Sequence, residues 1–261
     1  MINNYDIKYI ENIFIEGTNN ILLNEDIEME TSDKGPQDLI TKKDLLMEAF
    51  IINKLKLRFS NHKIIAEESI NENLTDEYTW VIDPIDGTIN FSNNSPLFGI
   101  QMALLYKKTA IFSTMYFPKF NEFHYALKDN GYFVNYKKYK LNTKKTLKNS
   151  IVSFGDFSNS NRSSRKHQLE LIEILNDKCL KTRIQGASSI DFSFVASGKN
   201  QAHIIFSKNI WELEPGLLFI KEAGGQIYRY KGNKFQFEGE GIILCANSNI
   251  KKSIINILNT F

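Results

Sequence analysis

At Tyr78 the spacing of apolar residues changes from that of helices to that of strands, so the fold must house both. Before that point Ile7, Ile10, Ile13, Phe14 and Ile21 recur three and four apart, which predicts an amphipathic helix from Asp6 to about Leu23. A second helix is expected from Lys43 to Phe59, with Leu45, Leu46, Ala49, Ile52, Leu55 and Leu57 as its apolar stripe and Thr41 or Asp44 as its cap. Thr31 to Gln37, between them, is turn-rich and reads as a mobile loop. Past Tyr78, Thr79 to Ile82 is an apolar run that stops at Asp83-Pro84. Phe98 to Tyr106 and Thr109 to Phe117 are rich in β-branched and aromatic residues and predict two strands turning at Tyr106-Lys107-Lys108. Asp129-Asn130-Gly131 marks a hairpin between Glu122 to Leu127 and Tyr132 to Asn135.

The second half alternates. Strands are expected at Ile151 to Phe154, Cys179 to Ile184, Ala202 to Phe206, Ile227 to Tyr230 and Gly241 to Cys245. Helices fall at Ser163 to Leu175, Ser188 to Ala196, Glu214 to Ala223 and Asn249 to Leu258. The reading is an α/β (α+β) protein: residues 1–145 form helices on a mainly antiparallel sheet, and residues 146–261 form a layered α/β unit. The Lys/Thr/Asn-rich stretch from Lys140 to Ser150 is the natural join. The chain of 261 residues carries 32 basic and 30 acidic side chains, a net charge of +2, which supplies no global field for nucleic acid. Two cysteines in such a length do not make a disulfide framework, so Cys179 and Cys245 are expected as core thiols in a reducing compartment. The N-terminus lacks the pattern of a secretory signal, and no apolar stretch nears the ~20 residues of a membrane span. A cytoplasmic protein is expected, with no membrane and no nucleic-acid partner.

The most informative stretch is Trp80-Val81-Ile82-Asp83-Pro84-Ile85-Asp86-Gly87-Thr88-Ile89-Asn90-Phe91. A strand runs into two carboxylates three residues apart and then into Gly-Thr. Pro84 biases Asp83 to an extended conformation at the strand's end. Asp86-Gly87-Thr88 can open a helix whose first N–H groups suit a phosphate oxygen. The two carboxylates and the Ile85 carbonyl are hard oxygen ligands of the kind Mg2+ accepts. Taken alone, Asp-x-x-Asp reads first as an ordinary turn. Three other segments accompany it: Ala66-Glu67-Glu68-Ser69 after a short strand, Asp38 to Asp44 leading into the second helix, and Trp211-Glu212-Leu213-Glu214-Pro215-Gly216 opening a helix that ends at Ala223-Gly224-Gly225.

In this order the segments resemble the inositol monophosphatase family of metal-dependent phosphomonoesterases. Its hallmarks are a Glu-Glu pair, Trp-x-Ile-Asp-Pro-Ile/Leu-Asp-Gly-Thr-x-Asn-Phe, and a late Trp-Asp…Glu-Ala-Gly-Gly segment; the likeness runs from about Gln37 to Asn247. It implies the layered αβαβα sandwich of the sugar-phosphatase type and a homodimer. It implies that Glu67, Asp83, Asp86, Glu212 and the Ile85 carbonyl hold two or three Mg2+ ions, with Mn2+ as a substitute. Glu67 and Thr88 would orient the attacking water, with Asp44 supporting Thr88. The Gly87 and Thr88 amides would hold the phosphate, and Gly186, Ala187 and Ser188 would line the leaving-group pocket. Lys34 falls where the family places a mobile basic residue near the metals.

Two departures stand out. Glu212 replaces the family's Asp, and the extra methylene shifts its carboxylate by ~1.5 Å. Metal affinity and the lithium sensitivity the family implies are thereby open. Glu214, two residues on, should point elsewhere on the helix. Ile205 stands where inositol-specific members carry a Glu that contacts inositol hydroxyls, which weakens myo-inositol phosphate as the substrate. The expected activity is Mg2+-dependent hydrolysis of a small phosphate monoester. The alternatives within the family are a 3′(2′),5′-bisphosphate nucleotidase and a fructose-1,6-bisphosphatase, and outside it a non-catalytic binding relative. The run Lys137, Lys138, Lys140, Lys144, Lys145 and Lys148 is either a solvated hairpin edge or a hint of a more anionic ligand. His62, His124, His167 and His203 show no zinc spacing.

Overall fold

Neighbouring residues on one strand serve different cores, and this alternation builds the layers. The structure is a computed structural model that describes residues 2–35, 38–69, 73–157, 162–207, 209–230 and 240–260. A seven-stranded sheet contains β3 (Lys63–Ala66), β4 (Thr79–Asp86), β5 (Gly99–Tyr106), β6 (Thr109–Phe117), β7 (Glu122–Leu127), β8 (Gly131–Val134) and β9 (Lys137–Tyr139), in that order. Only the β3–β4 pair is parallel. From it Ile64, Trp80, Ile82, Met102 and Leu104 point to one side, against Ile10 and Phe14 of α1 (Asn4–Gly17) and Met47, Ile51 and Leu55 of α2 (Lys42–Arg58). Their neighbours Ile65, Val81, Ala103 and Leu105 point to the other, against Ile190 and Phe192 of α5 (Ser188–Ala196) and Leu217 and Phe219 of α6 (Ile210–Ala223). The two-residue period of the strand produces this two-sided burial.

A second, five-stranded sheet repeats the pattern. Its order is β11 (Lys181–Ile184), β10 (Ile151–Phe154), β12 (Ala202–Ser207), β14 (Glu240–Cys245), β13 (Gln226–Tyr230). Ile205 and Leu244 join α5 and α6, while Ile204, Ile243 and Cys245 turn outward to Leu171 and Leu175 of α4 (Arg162–Lys178) and Ile250 and Ile254 of α7 (Ser248–Thr260). The result is an αβαβα sandwich. Cys245 is buried in its outer layer, and neither cysteine is bonded to another. Among the described residues no helix is long and apolar enough to cross a membrane.

Four expectations from the sequence need correction. The α2 stripe holds in part: Ile52 and Leu55 are buried, but Leu57 is 81% exposed and Leu45, Leu46 and Ala49 are exposed, because the buried face is Lys43, Asp44, Met47, Glu48, Ile51, Ile52 and Leu55. Three of those seven are charged residues with structural partners, so an apolar count cannot find the face. Thr31–Gly35, expected as loop, is strand β1, paired antiparallel with β2 (Asp38–Thr41); residues 36 and 37 of that segment lie outside the described residues. β4 does not stop at Asp83 but continues through a bulge to Asp86, which accommodates Pro84 without a ladder N–H. Finally, α6 begins at Ile210, four residues before the expected start, so Glu212 lies in its first turn and Pro215 inside it.

Candidate functional site

The site forms where the bulged end of β4 meets the start of α5. Gly87 follows Asp86 at φ +87° and a Cβ there would come within 2.9 Å of Ala187, so both the turn and the approach of the two halves require glycine. α3 (Thr88–Ser92) begins directly after it. Asn90 of α3 donates to the carbonyls of Leu97 and Gln185 at 2.8 Å each, and to Gly186 at 3.3 Å. It thus pins the Gly186–Ser188 turn against the β4–α3 corner. Asn90→Ala leaves these carbonyls without their donor and is expected to cost about 2–3 kcal/mol in a urea titration; a loss below about 0.5 kcal/mol would remove Asn90 from that role.

Asp86 is held by the other half of the chain. Its carboxylate accepts the backbone N–H groups of Ser188 (3.2 Å) and Ser189 (2.7 Å) and their hydroxyls (3.0 and 2.5 Å). The side chain therefore caps α5, whose own N-cap residue, Ala187, cannot. Burial raises the Asp86 carboxyl above its ordinary range, and the Ser189 and Ser188 bonds oppose that shift. Asp83 is 3% exposed and accepts from Gln101 Nε2 at 2.9 Å on Oδ2, while no hydrogen-bond donor reaches its buried Oδ1. Burial, then the charges of Glu67 and Asp86, push Asp83 well above the usual carboxylate range.

Glu67 follows β3, with its N–H bonded to Ile82 O at 3.1 Å, and its carboxyl reaches that of Asp83. Burial raises it and Lys34 opposes the shift. Lys34, carried in by the β1–β2 arm, places Nζ 3.2 Å from Glu67 Oε1 and 2.5 Å from Glu68 Oε2. Burial would lower its pKa, but the two glutamates outweigh burial and keep the ammonium charged. Glu48 of α2 accepts the Glu68 N–H at 2.8 Å. Glu212 lies close enough to Asp86 and Glu67 to feel both; Ser207 Oγ donates to its Oε2 at 2.5 Å, and burial raises it to about 8. Glu214 instead faces the charge of Arg229.

Thr88 Oγ1 lies 3.0 Å from the Ile85 carbonyl and 3.2 Å from Asp44 Oδ1. Asp44 is 1% exposed and its Oδ2 accepts the Thr41 N–H (2.8 Å) and hydroxyl, closing a capping box on α2. Ile205 is buried with Gly155 packed against it. The lysines from 137 to 148 are exposed along β9 and the segment after it; the His167 side chain lies outside the described residues.

Glu67, Asp83, Asp86 and Glu212 thus converge, although 145 residues separate the first from the last in sequence numbering (212 − 67). Among the described residues no three Asp, Glu, His or Cys side chains form a ready metal-holding group. Lys34 Nζ lies against Glu67, the Ser188 and Ser189 hydroxyls against Asp86, and the Ser207 hydroxyl against Glu212. Even so, the residues fit a hard divalent cation: all are oxygen ligands, the negative charge exceeds the one ammonium beside it, and Asp83 Oδ1 is buried without a donor. Gln101, Ser189 and Ser207 escaped the sequence reading. A polar residue inside the apolar run Gly99–Tyr106 was the available signal for the first.

The model of the inositol monophosphatase family matches residues 13–260. An inositol monophosphatase of Dictyostelium discoideum is 31% identical over 229 residues, covering 86% of this chain and 84% of that protein. A fructose-1,6-bisphosphatase/inositol-1-monophosphatase of Aquifex aeolicus is 28% identical, covering 88% and 85%. An IMPase/NADP phosphatase solved as a complex with Mg2+ and phosphate superposes with a TM-score of 0.80 at 24% identity, covering 98% of this chain and 97% of that one.

Proposed function

The chain belongs to the inositol monophosphatase family and is a phosphoric monoester hydrolase, and we propose that it hydrolyses a small phosphate monoester using divalent cations, Mg2+ first among them. The observation that carries the reading is the donor-free, buried Asp83 Oδ1 among the charges of Glu67 and Asp86. Glu67, Asp83, Asp86, Glu212 and the Ile85 carbonyl would hold the cations. When bound, they would activate a water and neutralise charge on the phosphoryl group.

The chain's own groups do the placing. Thr88 Oγ1 has one hydrogen, and both neighbours in its reach, the Ile85 carbonyl and Asp44, are acceptors. Its lone pairs then face outward to accept from a water, which fixes that water's orientation. Asp44 is itself held by Thr41, so Thr88 is supported from the helix start. The Gly87 and Thr88 amides would receive phosphate oxygens, and Gly186, Ala187 and Ser188 would line the leaving group. Lys34 offers its ammonium to the same anion or, as seen, to Glu67 and Glu68. Ile205 presents no hydrogen-bonding atom to a polyol. A homodimer is part of this reading.

Phosphate release is expected from at least one of D-inositol 1-phosphate, fructose 1,6-bisphosphate and 3′-phosphoadenosine 5′-phosphate in Mg2+, and from none in EDTA. Equal release with and without the chelator would overturn the metal-dependent mechanism.

A further inference from the structure

Gln101 sits on β5 directly opposite Asp83, fully buried within an otherwise apolar strand. Its Nε2 lies 2.9 Å from Asp83 Oδ2 and 3.4 Å from Ser188 Oγ, and Ser188 Oγ lies 3.0 Å from Asp86 Oδ1. A primary amide nitrogen has two hydrogens and a hydroxyl one, so with Asp83 and Asp86 ionised, as a bound cation would keep them, the direction of the chain is determined. The amide donates to Asp83 and to Ser188, and Ser188 donates onward to Asp86. Turning the amide over would set oxygen against oxygen at Asp83 and draw the Ser188 hydrogen away from Asp86. In the orientation kept, Gln101 Oε1 is buried without a partner. A buried amide oxygen left bare asks for a reason, since an apolar side chain would fill the strand position without that loss.

We infer that Gln101 is a positioning residue that couples Asp83 to Asp86. By occupying Asp83 Oδ2 it turns the carboxylate so that Oδ1 is the oxygen left free of donors, and through Ser188 it holds Asp86 in the matching orientation. One amide thereby aligns two acids of β4 with the start of α5, and that alignment sets the affinity for a divalent cation. The inference rests on the metal-dependent reading above.

Gln101→Met and Gln101→Leu keep the bulk and remove both donors. Isothermal titration of each purified full-length variant with Mg2+ alone and Mn2+ alone is expected to show binding weaker by about tenfold or more. The melting temperature in EDTA should fall, because the buried Asp83 Oδ2 loses its donor, so the affinity is the deciding readout. A merely structural role predicts the same fall with wild-type affinity; affinities within twofold of wild type in either folded variant overturn the inference. A wild type that binds neither cation sinks the metal-dependent reading and this inference with it, whereas binding by wild type and variants alike sinks the inference alone.

Discussion

Asp83→Asn is expected to reduce kcat by about 10^3-fold or more while raising the stability of the metal-free protein. A buried carboxylate with one donor-free oxygen is placed where a cation is the fitting partner. Losing that charge removes several kcal/mol of electrostatic stabilisation, and each ~1.4 kcal/mol is tenfold in rate. In the absence of metal the same charge is a burden, since burial and the neighbouring Glu67 and Asp86 all push the Asp83 carboxyl up. Asparagine keeps an oxygen for the Gln101 donor and turns an amide toward the acids, converting repulsion into a hydrogen bond. A gain of about 1–2 kcal/mol is expected at pH 8 in EDTA, roughly 3–6 °C in melting temperature for a chain of this size. Most substitutions of buried polar groups lose stability. The opposed directions are therefore the signature of a site held in strain for function. Turnover within tenfold of wild type would remove Asp83 from the metal-holding set.

The layers of this fold are legible in the sequence because each strand serves two cores. Trp80 and Val81, or Ile204 and Ile205, are apolar neighbours, and continuous apolar runs of that kind predict strands covered on both faces. The acids of the Trp80–Phe91 segment are legible for a different reason: alone they read as a turn, but Glu67, Asp44 and Glu212 lie in segments that flank them in a recognisable order. What the sequence hides is the company these acids keep. Asp44 and Glu48 lie on the buried face of α2 because they cap Thr41 and receive Glu68, and an apolar stripe drawn through Leu45, Leu46 and Leu57 passes them by. Ser189 looks like any serine at a helix start until Asp86 arrives from 103 positions earlier. Gln101 is visible as an anomaly in its strand but acquires meaning only across the ladder from Asp83. Long-range donors decide which carboxylate oxygens are spoken for, and no local spacing encodes them.

In EDTA, stability should fall as pH rises from about 6.5 to 8.5, and Mg2+ should abolish the fall. Burial raises Glu68 to about 7 and, more strongly, Glu212 to about 8, where Asp86 and Glu67 add to the shift and Ser207 opposes it. Both lie above the ordinary glutamate value of 4.5, so the folded state binds more protons than the unfolded one between those limits. The stability they contribute is complete below about pH 4.5 and is lost as pH rises through 7 and 8. Other groups work the other way on the acid side: burial lowers His62, His124 and, to about 3, His203, and the bond to His124 lowers Glu122 to about 2, so their contributions decline as pH falls. The two trends oppose each other below 6.5, and only the loss from the acids remains above it. From pH 6.5 to 8 Glu212 alone accounts for about 2 kcal/mol. A cation that binds the ionised acids stabilises the folded state more as they deprotonate, by an amount that grows with the ratio of free metal to Kd. Urea midpoints at pH 6.5 and 8.5 should therefore diverge, falling in EDTA and holding level in Mg2+. Glu212→Gln should remove the larger part of the slope. A wild-type midpoint that stays flat in EDTA would show that these carboxylates are not crowded, and the case for a cation at their centre would lose its electrostatic basis.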